Sequence, residues 1–444
     1  MKTHKVISNI EGKRAFEPIY FDEPQVLTDP LWLARTNTGE QILCQRLTNQ
    51  PAPQEVTRFV TTLSFEGEAS FTLDRSVESG EGITRGPGTE TDSWARVNTG
   101  YFDVDVCTGT AEGTGASKWG LKHFRTLDEN IDLLPSGNNA IGGFYGPFFT
   151  PENGLINPPE HTKVAIEILE DGPVLLSFKM FGVIPDGLLP ELKGKNFSIE
   201  WSFTYKTPWF SRRYHVDDFQ TVINGRSITN KITVGDEFEA GQGKLLFDRF
   251  ACYGGSRYRS GDPYAGHLAE MVEQTISDET LPKRKKLEEF KAALTDDIEN
   301  AHWDLYWRLF STFEGALTDE TIRNRLAIVR EKSFVDAERR DWRIESKPID
   351  VQKEEHETIF PGAAGKTVEY DTTTGRAMIW YTSKPSGGFQ IVQRKQSGWG
   401  NWGTNLENEC PELPVGVDIK TAYGKFASNW EEIADQLETP PEVL

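Results

Sequence analysis

Along most of the first 277 residues, apolar positions alternate with polar ones or gather in short β-branched and aromatic blocks. That pattern predicts strands. "QVLTDPLWLAR", "EQILCQRL", "RFVTTLSFEGEASFTLDR" and "SWARVNTGYFDVDVCTG" are separated by Gly, Asn, Asp and Pro. Within "ARVNTGYFDVDV", Tyr101, Asp103 and Asp105 fall on one face, with Phe102, Val104 and Val106 on the other. The polar, glycine-rich "CTGTAEGTGASKWG" reads as a mobile loop. "TKVAIEILEDGPVLLSFKMFG" reads as a hairpin turning at Asp171 and Gly172. "KNFSIEWSFTYKTPWFSRRYHVDDFQTV" continues it with a break at Pro208, and "RSITNKITVGDEF" and "GKLLFDRFACYGG" add further strands.

Residues 278–345 carry a different period. "DETLPKRKKLEEFKAAL", "DDIENAHWDLYWRLFSTFEG" and "TDETIRNRLAIVREK" predict helices; Trp303, Trp307 and Phe310 share a face in the second, and Thr318 caps the third. Strand patterns return in "KTVEYDTTTGRAMIWYTS" and "GGFQIVQRK". The expectation is a mainly β chain, a large antiparallel sandwich. Its parts are β strands over 1–277, a helical insertion over 278–345, and C-terminal strands with a tail over 346–444.

The composition narrows the partners. The net charge of −20 disfavours nucleic acid and anionic membranes. Apolar runs such as "VLLSF" are far too short to span a bilayer. "MKTHKVISNIEGKR" has no apolar signal region, which predicts a cytoplasmic protein. Cys44, Cys107, Cys252 and Cys410 are widely spaced and predict free buried thiols. No HxH, HExxH, EF-hand, P-loop or GxSxG pattern is present; "YHVDDF" offers ligands for a divalent ion but reads better as a strand end, and no metal or cofactor is expected. Nothing in the sequence chooses between a monomer and a homo-oligomer.

The stretch Glu160–Phe238, with "VAIEILEDGPVLLSFKM" followed by "YKTPWFSRRYHVDDF", resembles the middle of galactose mutarotase-like β-supersandwich proteins. In those, an E-x-G-P-V turn precedes a strand that opens on a sugar site. "GEQILCQRL" resembles the start of their sheet. The resemblance covers about a fifth of the chain and implies a carbohydrate as the substrate class. It implies no particular reaction, because the superfamily epimerises, eliminates, hydrolyses or only binds.

Candidate residues follow from what a sugar site needs. The loop "GGFYGPFFTPENGLINPPEH" holds Phe144, Tyr145, Phe148 and Phe149 as candidate walls and ends on Glu160 and His161. Its alternative role is a rigid crossover packed by its own rings. Trp209 stands beside Arg212, Arg213, Tyr214 and His215. Trp399 and Trp402 stand in polar company with Asn405 and Glu407. These aromatics either platform a sugar or staple loops.

Three reactions can use this inventory. In β-elimination, Tyr145, His161 or His215 removes a proton while Arg213 holds a uronate carboxylate. In hydrolysis, two carboxylates among Glu152, Glu160, Glu407 and Glu409 flank the bond. In epimerisation, Glu160 or Glu200 acts with His161 or His215. Elimination on a small glycoside or oligosaccharide is the leading expectation, ahead of hydrolysis. A sugar epimerase and a non-catalytic carbohydrate-binding protein are the alternatives.

Overall fold

The computed structural model describes residues 1–50, 53, 55–110, 119–129, 132–134, 144–145, 163–184, 190–223, 226–238, 247, 249–253, 333–336, 341–346, 356–362, 366–371, 373–383, 388–394, 398–404 and 413–444. The architecture is mainly β, and every recorded strand pair is antiparallel.

A seven-stranded sheet takes the N-terminal strands, with Lys13–Glu23 at one edge. Glu442–Val443 at the C-terminus forms its other edge by pairing with Thr3–Ile7. A ten-stranded sheet runs in the order Ala165–Asp171, Leu175–Val183, Asn196–Thr204, Trp209–Val216, Asp418–Gly424, Ala377–Thr382, Lys366–Tyr370, Arg249–Tyr253, Asp341–Ser346 and Ser333–Asp336. Smaller sheets include a four-stranded one over Thr84–Thr126 and a six-stranded one holding Lys231–Phe238, Gly388–Arg394 and Gly398–Thr404.

Alternation assigns the two faces of the ten-stranded sheet, since successive side chains point to opposite sides. One face is apolar. Across neighbouring strands it presents Met180, Ile199 and Tyr214, then Phe178, Trp201, Arg212 and Ile419. These residues join Phe102, Val104, Val106, Ile232 and Val234 in one large core. Arg212 is the exception within it. Its guanidinium donates to Asp236 through Nη1 at 2.6 Å and Nη2 at 2.7 Å, and Trp380 Nε1 donates to the same carboxylate at 2.9 Å. Buried charge survives only where it is paired and hydrogen-bonded in this way.

The opposite face of the same strands is polar, and it meets the seven-stranded sheet. Between those two sheets the site described below opens.

Several elements differ from the expectation. The strands Thr3–Ile7 and Lys13–Glu23 lie within the expected strand region, though no individual segment there was picked out. In the second, Phe16 has φ 47° and the pairing register shifts between Arg14 and Glu17, so a bulge interrupts the alternation. The tail is closed by a helix, Trp430–Glu438, whose Trp430, Ile433, Ala434 and Leu437 are buried against Trp209, Val368 and Ile379. The three helices expected over 278–332 lie outside the described residues, and Ser333–Asp336 and Asp341–Ser346, at the end of that stretch, are strands. Cys44 and Cys107 are free and buried, and burial pushes both thiols up to about 12. Among the described residues no helix is long and apolar enough to cross a membrane.

Candidate functional site

A cleft of about 550 Å³ lies between the seven-stranded and ten-stranded sheets. Tyr20 and Arg58 come from the first sheet and Asn49 and Gln50 from the loop after Gln41–Arg46. Glu170, Ser177, Glu200, Ser202, Ser211, Arg213 and Asp418 come from the second. Its volume falls within the usual range for a small-molecule site. Its walls differ from most such sites in being chiefly hydroxyls and charges.

The sequence builds this floor by period-two alternation on adjacent strands. One cross-strand row is Ser177, Ser202, Ser211 and Lys420. The next is Glu167, Lys179, Glu200, Arg213 and Asp418, in which acids and bases take turns. Opposite charges facing each other across strands stabilise the pairing and hold each side chain in place.

Within the cleft most charges are already engaged. Arg213 donates from Nε and Nη2 to the two oxygens of Asp418, each at 2.8 Å, and this fork raises the guanidinium's affinity for its proton. Arg58 makes the same fork with Asp22 at 2.8 and 2.9 Å. The Glu170 carboxylate accepts from the backbone N–H of Thr48 at 2.8 Å and of Asn49 at 2.7 Å, and from the Thr48 hydroxyl at 3.1 Å. Desolvation, with Glu170 and Asp418 close by, pushes the Tyr20 hydroxyl up to about 12, although 40% of the residue as a whole is open to solvent.

Glu200 is placed differently. The imidazole of His215, one row outside the cleft, brings Nε2 to 3.8 Å from Glu200 Oε1. That nitrogen is shielded from solvent and makes no hydrogen bond among the described residues. Both side chains are partly exposed, at 36% for Glu200 and 42% for His215.

The residues expected from the sequence divide between two sides of the ten-stranded sheet. Arg213 and His215 stand on the cleft face, two residues apart on one strand. Arg212 points the other way, into the core, so the Arg212–Arg213 pair does not act together. Trp209 is a core residue at 6% exposure, packed under the C-terminal helix, so it does not platform a ligand. The backbone places Phe144, Tyr145, Trp399 and Trp402 on the six-stranded sheet. There Phe144 and Trp402 both pair with Val234. Through Asp236 that sheet contacts the Arg212 face, away from the cleft. Phe148, Phe149, Glu152, Glu160, His161, Asn405, Glu407 and Glu409 lie outside the described residues.

Tyr20, Asn49, Arg58, Glu170 and Asp418 were not anticipated. The signal that existed was local: Ser198, Glu200 and Ser202 alternate with Ile199, Trp201 and Phe203. A central strand with one polar face needs either water or a polar cavity over it.

A second polar cluster sits on the four-stranded sheet. His123, at φ 53° on a bulge, meets Asp132 through Nδ1 at 2.6 Å and Glu90 through Nε2 at 2.8 Å. Desolvation opposes its protonation, but the two carboxylates outweigh it and raise its pKa. Beneath, Asp103 takes hydrogen bonds from Arg96 and Arg125. No group of three or more metal-ligating side chains is assembled among the described residues.

No family model matches the chain, and no curated protein matches it. Among solved structures it is similar to an α-mannosidase from Enterococcus faecalis, at 9% identity and a TM-score of 0.47 over 100% of this chain and 45% of that one. It is also similar to a glycosyl hydrolase family 38 protein from Enterococcus faecalis, at 8% identity and a TM-score of 0.45, covering 100% of this chain and 47% of the other. A protein proposed to be an aldose 1-epimerase from Klebsiella pneumoniae gives 7% identity and a TM-score of 0.36, covering 95% of each chain. The chain thus spans about half the length of the two enterococcal proteins. All three likenesses are too weak to carry an argument about activity.

Proposed function

We propose that this is a carbohydrate-active protein that holds a small neutral sugar in the cleft and transfers protons through Glu200 and His215. The observation that carries the reading is their 3.8 Å approach beside a polar cleft of about 550 Å³. Serine hydroxyls, Asn49 and the charged rows suit a ligand covered in hydroxyls, and the single ring of Tyr20 suits one apolar sugar face.

The reaction that fits best is interconversion at the anomeric carbon. The anomeric hydroxyl and the ring oxygen share that carbon, so a base and an acid held close together reach both. Glu200 takes the hydroxyl proton, His215 protonates the ring oxygen, the ring opens, and reclosure returns both protons. β-Elimination fits less well. It needs a cation free to hold a uronate carboxylate, and Arg213 and Arg58 are each forked onto an aspartate.

The test is one-dimensional NMR of freshly dissolved single anomers, with a parallel ultraviolet assay on uronate oligosaccharides. Anomers equilibrate faster with protein than in buffer. Glu200→Gln and His215→Ala each lose about a hundredfold or more, the usual share of a positioned acid or base. Cleft binding with no acceleration would overturn the catalytic reading and leave a sugar-binding protein. New C=C absorbance with uronates would reinstate elimination.

A further inference from the structure

The E-x-G-P-V turn singled out in the sequence, Glu170 to Val174, is gripped on every side by groups distant in the chain. The Gln45 amide, 4% exposed, inserts into it as a surrogate strand. Its Oε1 accepts the N–H of Val174 at 3.0 Å and of Leu175 at 2.8 Å, while its Nε2 donates to the Leu175 carbonyl at 3.1 Å. Gly172 permits this approach, because a Cβ there would lie 2.3 Å from Gln45 Cδ. Two carbonyls of the turn are also taken: Tyr205 N–H donates to Val174 and Ile83 N–H to Pro173, both at 2.8 Å.

Two residues of this turn region, Glu170 and Leu175, line the cleft, and Glu170 in turn fixes the loop that carries Asn49 and Gln50. Gln45 itself does not line it. The chain of contacts therefore runs from Gln45 to the turn, from the turn to Glu170, and from Glu170 to the opposite wall.

We infer that Gln45 is a positioning residue whose amide docks the turn onto the seven-stranded sheet and thereby sets the spacing of the two cleft walls. This rests on the reading of the cleft as the ligand site. Gly172 and Gln45 are complementary halves of the device. Enlarging one and removing the polar end of the other should open it alike.

The experiment compares amide hydrogen exchange in Gln45→Met and Gly172→Ala with the parent chain, alongside sugar titrations. Loss of the amide bonds speeds exchange at Val174 and Leu175 by about tenfold or more, the scale of one or two net hydrogen bonds. The same acceleration appears at Thr48 and Asn49, which touch Glu170 and not Gln45, while Phe178 and Met180 in the adjoining ladder stay protected. For a sugar that the parent chain binds, the loss falls on KM or Kd and not on kcat. If Gln45→Met does not fold, Gly172→Ala carries the test.

Opening confined to Val174 and Leu175 would overturn the inference, leaving Gln45 as local packing. So would opening of all four amides with an unchanged Kd. If the parent chain binds none of the sugars, the proposed function fails, and the amide pattern still decides whether the turn governs the opposite wall.

Discussion

Replacing Asp236 with alanine removes the acceptor that neutralises Arg212, whose side chain is 1% exposed. The guanidinium keeps Thr421 Oγ1 at 3.2 Å and the Tyr214 hydroxyl at 3.4 Å, neither of them charged. Breaking a buried pair from one side costs about 3–5 kcal/mol. Trp380 also loses the partner of its indole N–H, and a buried unsatisfied donor costs about 1–3 kcal/mol. The two losses share one carboxylate and do not add fully. A fall of about 4 kcal/mol in unfolding free energy is the expectation, which is a large part of the usual total of about 5–15 kcal/mol. Urea denaturation followed by tryptophan fluorescence reads it as a lowered midpoint, compared among Asp236→Ala, Arg212→Met and a double variant, Arg212→Met with Asp236→Leu. The double variant should recover most of the loss, since an apolar pair of similar volume is often neutral or better. A single variant within about 1 kcal/mol of the parent chain would refute the argument, as would a double variant as unstable as the singles.

Other expectations follow from the same physics. Burial raises Glu17 to about 7 despite the Arg14 guanidinium 3.0 Å away, so the folded state holds a proton that the unfolded chain releases lower on the scale. Its contribution is present below the ordinary carboxylate range and is lost as pH rises towards 7. Glu17→Gln should therefore flatten the stability profile between those limits in thermal melts. The raised pKa of His123 gives stability that is complete below the ordinary histidine value and declines as pH rises through the folded one. His123→Gln should remove that decline, read by exchange at Glu90 and Leu133; an unchanged slope would mean the two carboxylates do not hold the ring. Deleting the last residues from Glu442 removes the edge pairing with Val6 and Ile7 and should lower the midpoint of the seven-stranded sheet, seen as faster exchange along Thr3–Ile7.

How much of this was legible beforehand differs by residue. Phe102, Val104 and Val106 were assigned to one face and Asp103 and Asp105 to the other, and the core contains the first three while Arg96 and Arg125 cover Asp103. The hairpin itself was equally plain, although its turn sits two residues later than Asp171-Gly172 suggests: Asp171 still pairs with Leu176 and the chain reverses over Gly172, Pro173 and Val174. The tail helix was legible in principle: Trp430, Ile433, Ala434 and Leu437 repeat at helical spacing, after Asn429 and with Glu431 and Glu432 in the first turn. His4 stood near a terminus in the sequence, yet it is 1% exposed and its Nε2 meets Glu23 at 3.1 Å, because Thr3–Ile7 is an inner strand once Glu442–Val443 joins it.

The sequence by itself determined the strand period, the main turns and which side chains share a face, since each follows from backbone geometry over a few residues. Only the tertiary structure decided which faces meet. Arg213 finds Asp418 across 205 positions of chain, Gln45 finds Leu175 across 130, and the cleft exists because both pairings bring distant strands side by side. Alternation says that a side chain points up or down. It carries no record of the strand that will lie beside it, because that choice is made by burial and hydrogen bonding summed over the whole sheet.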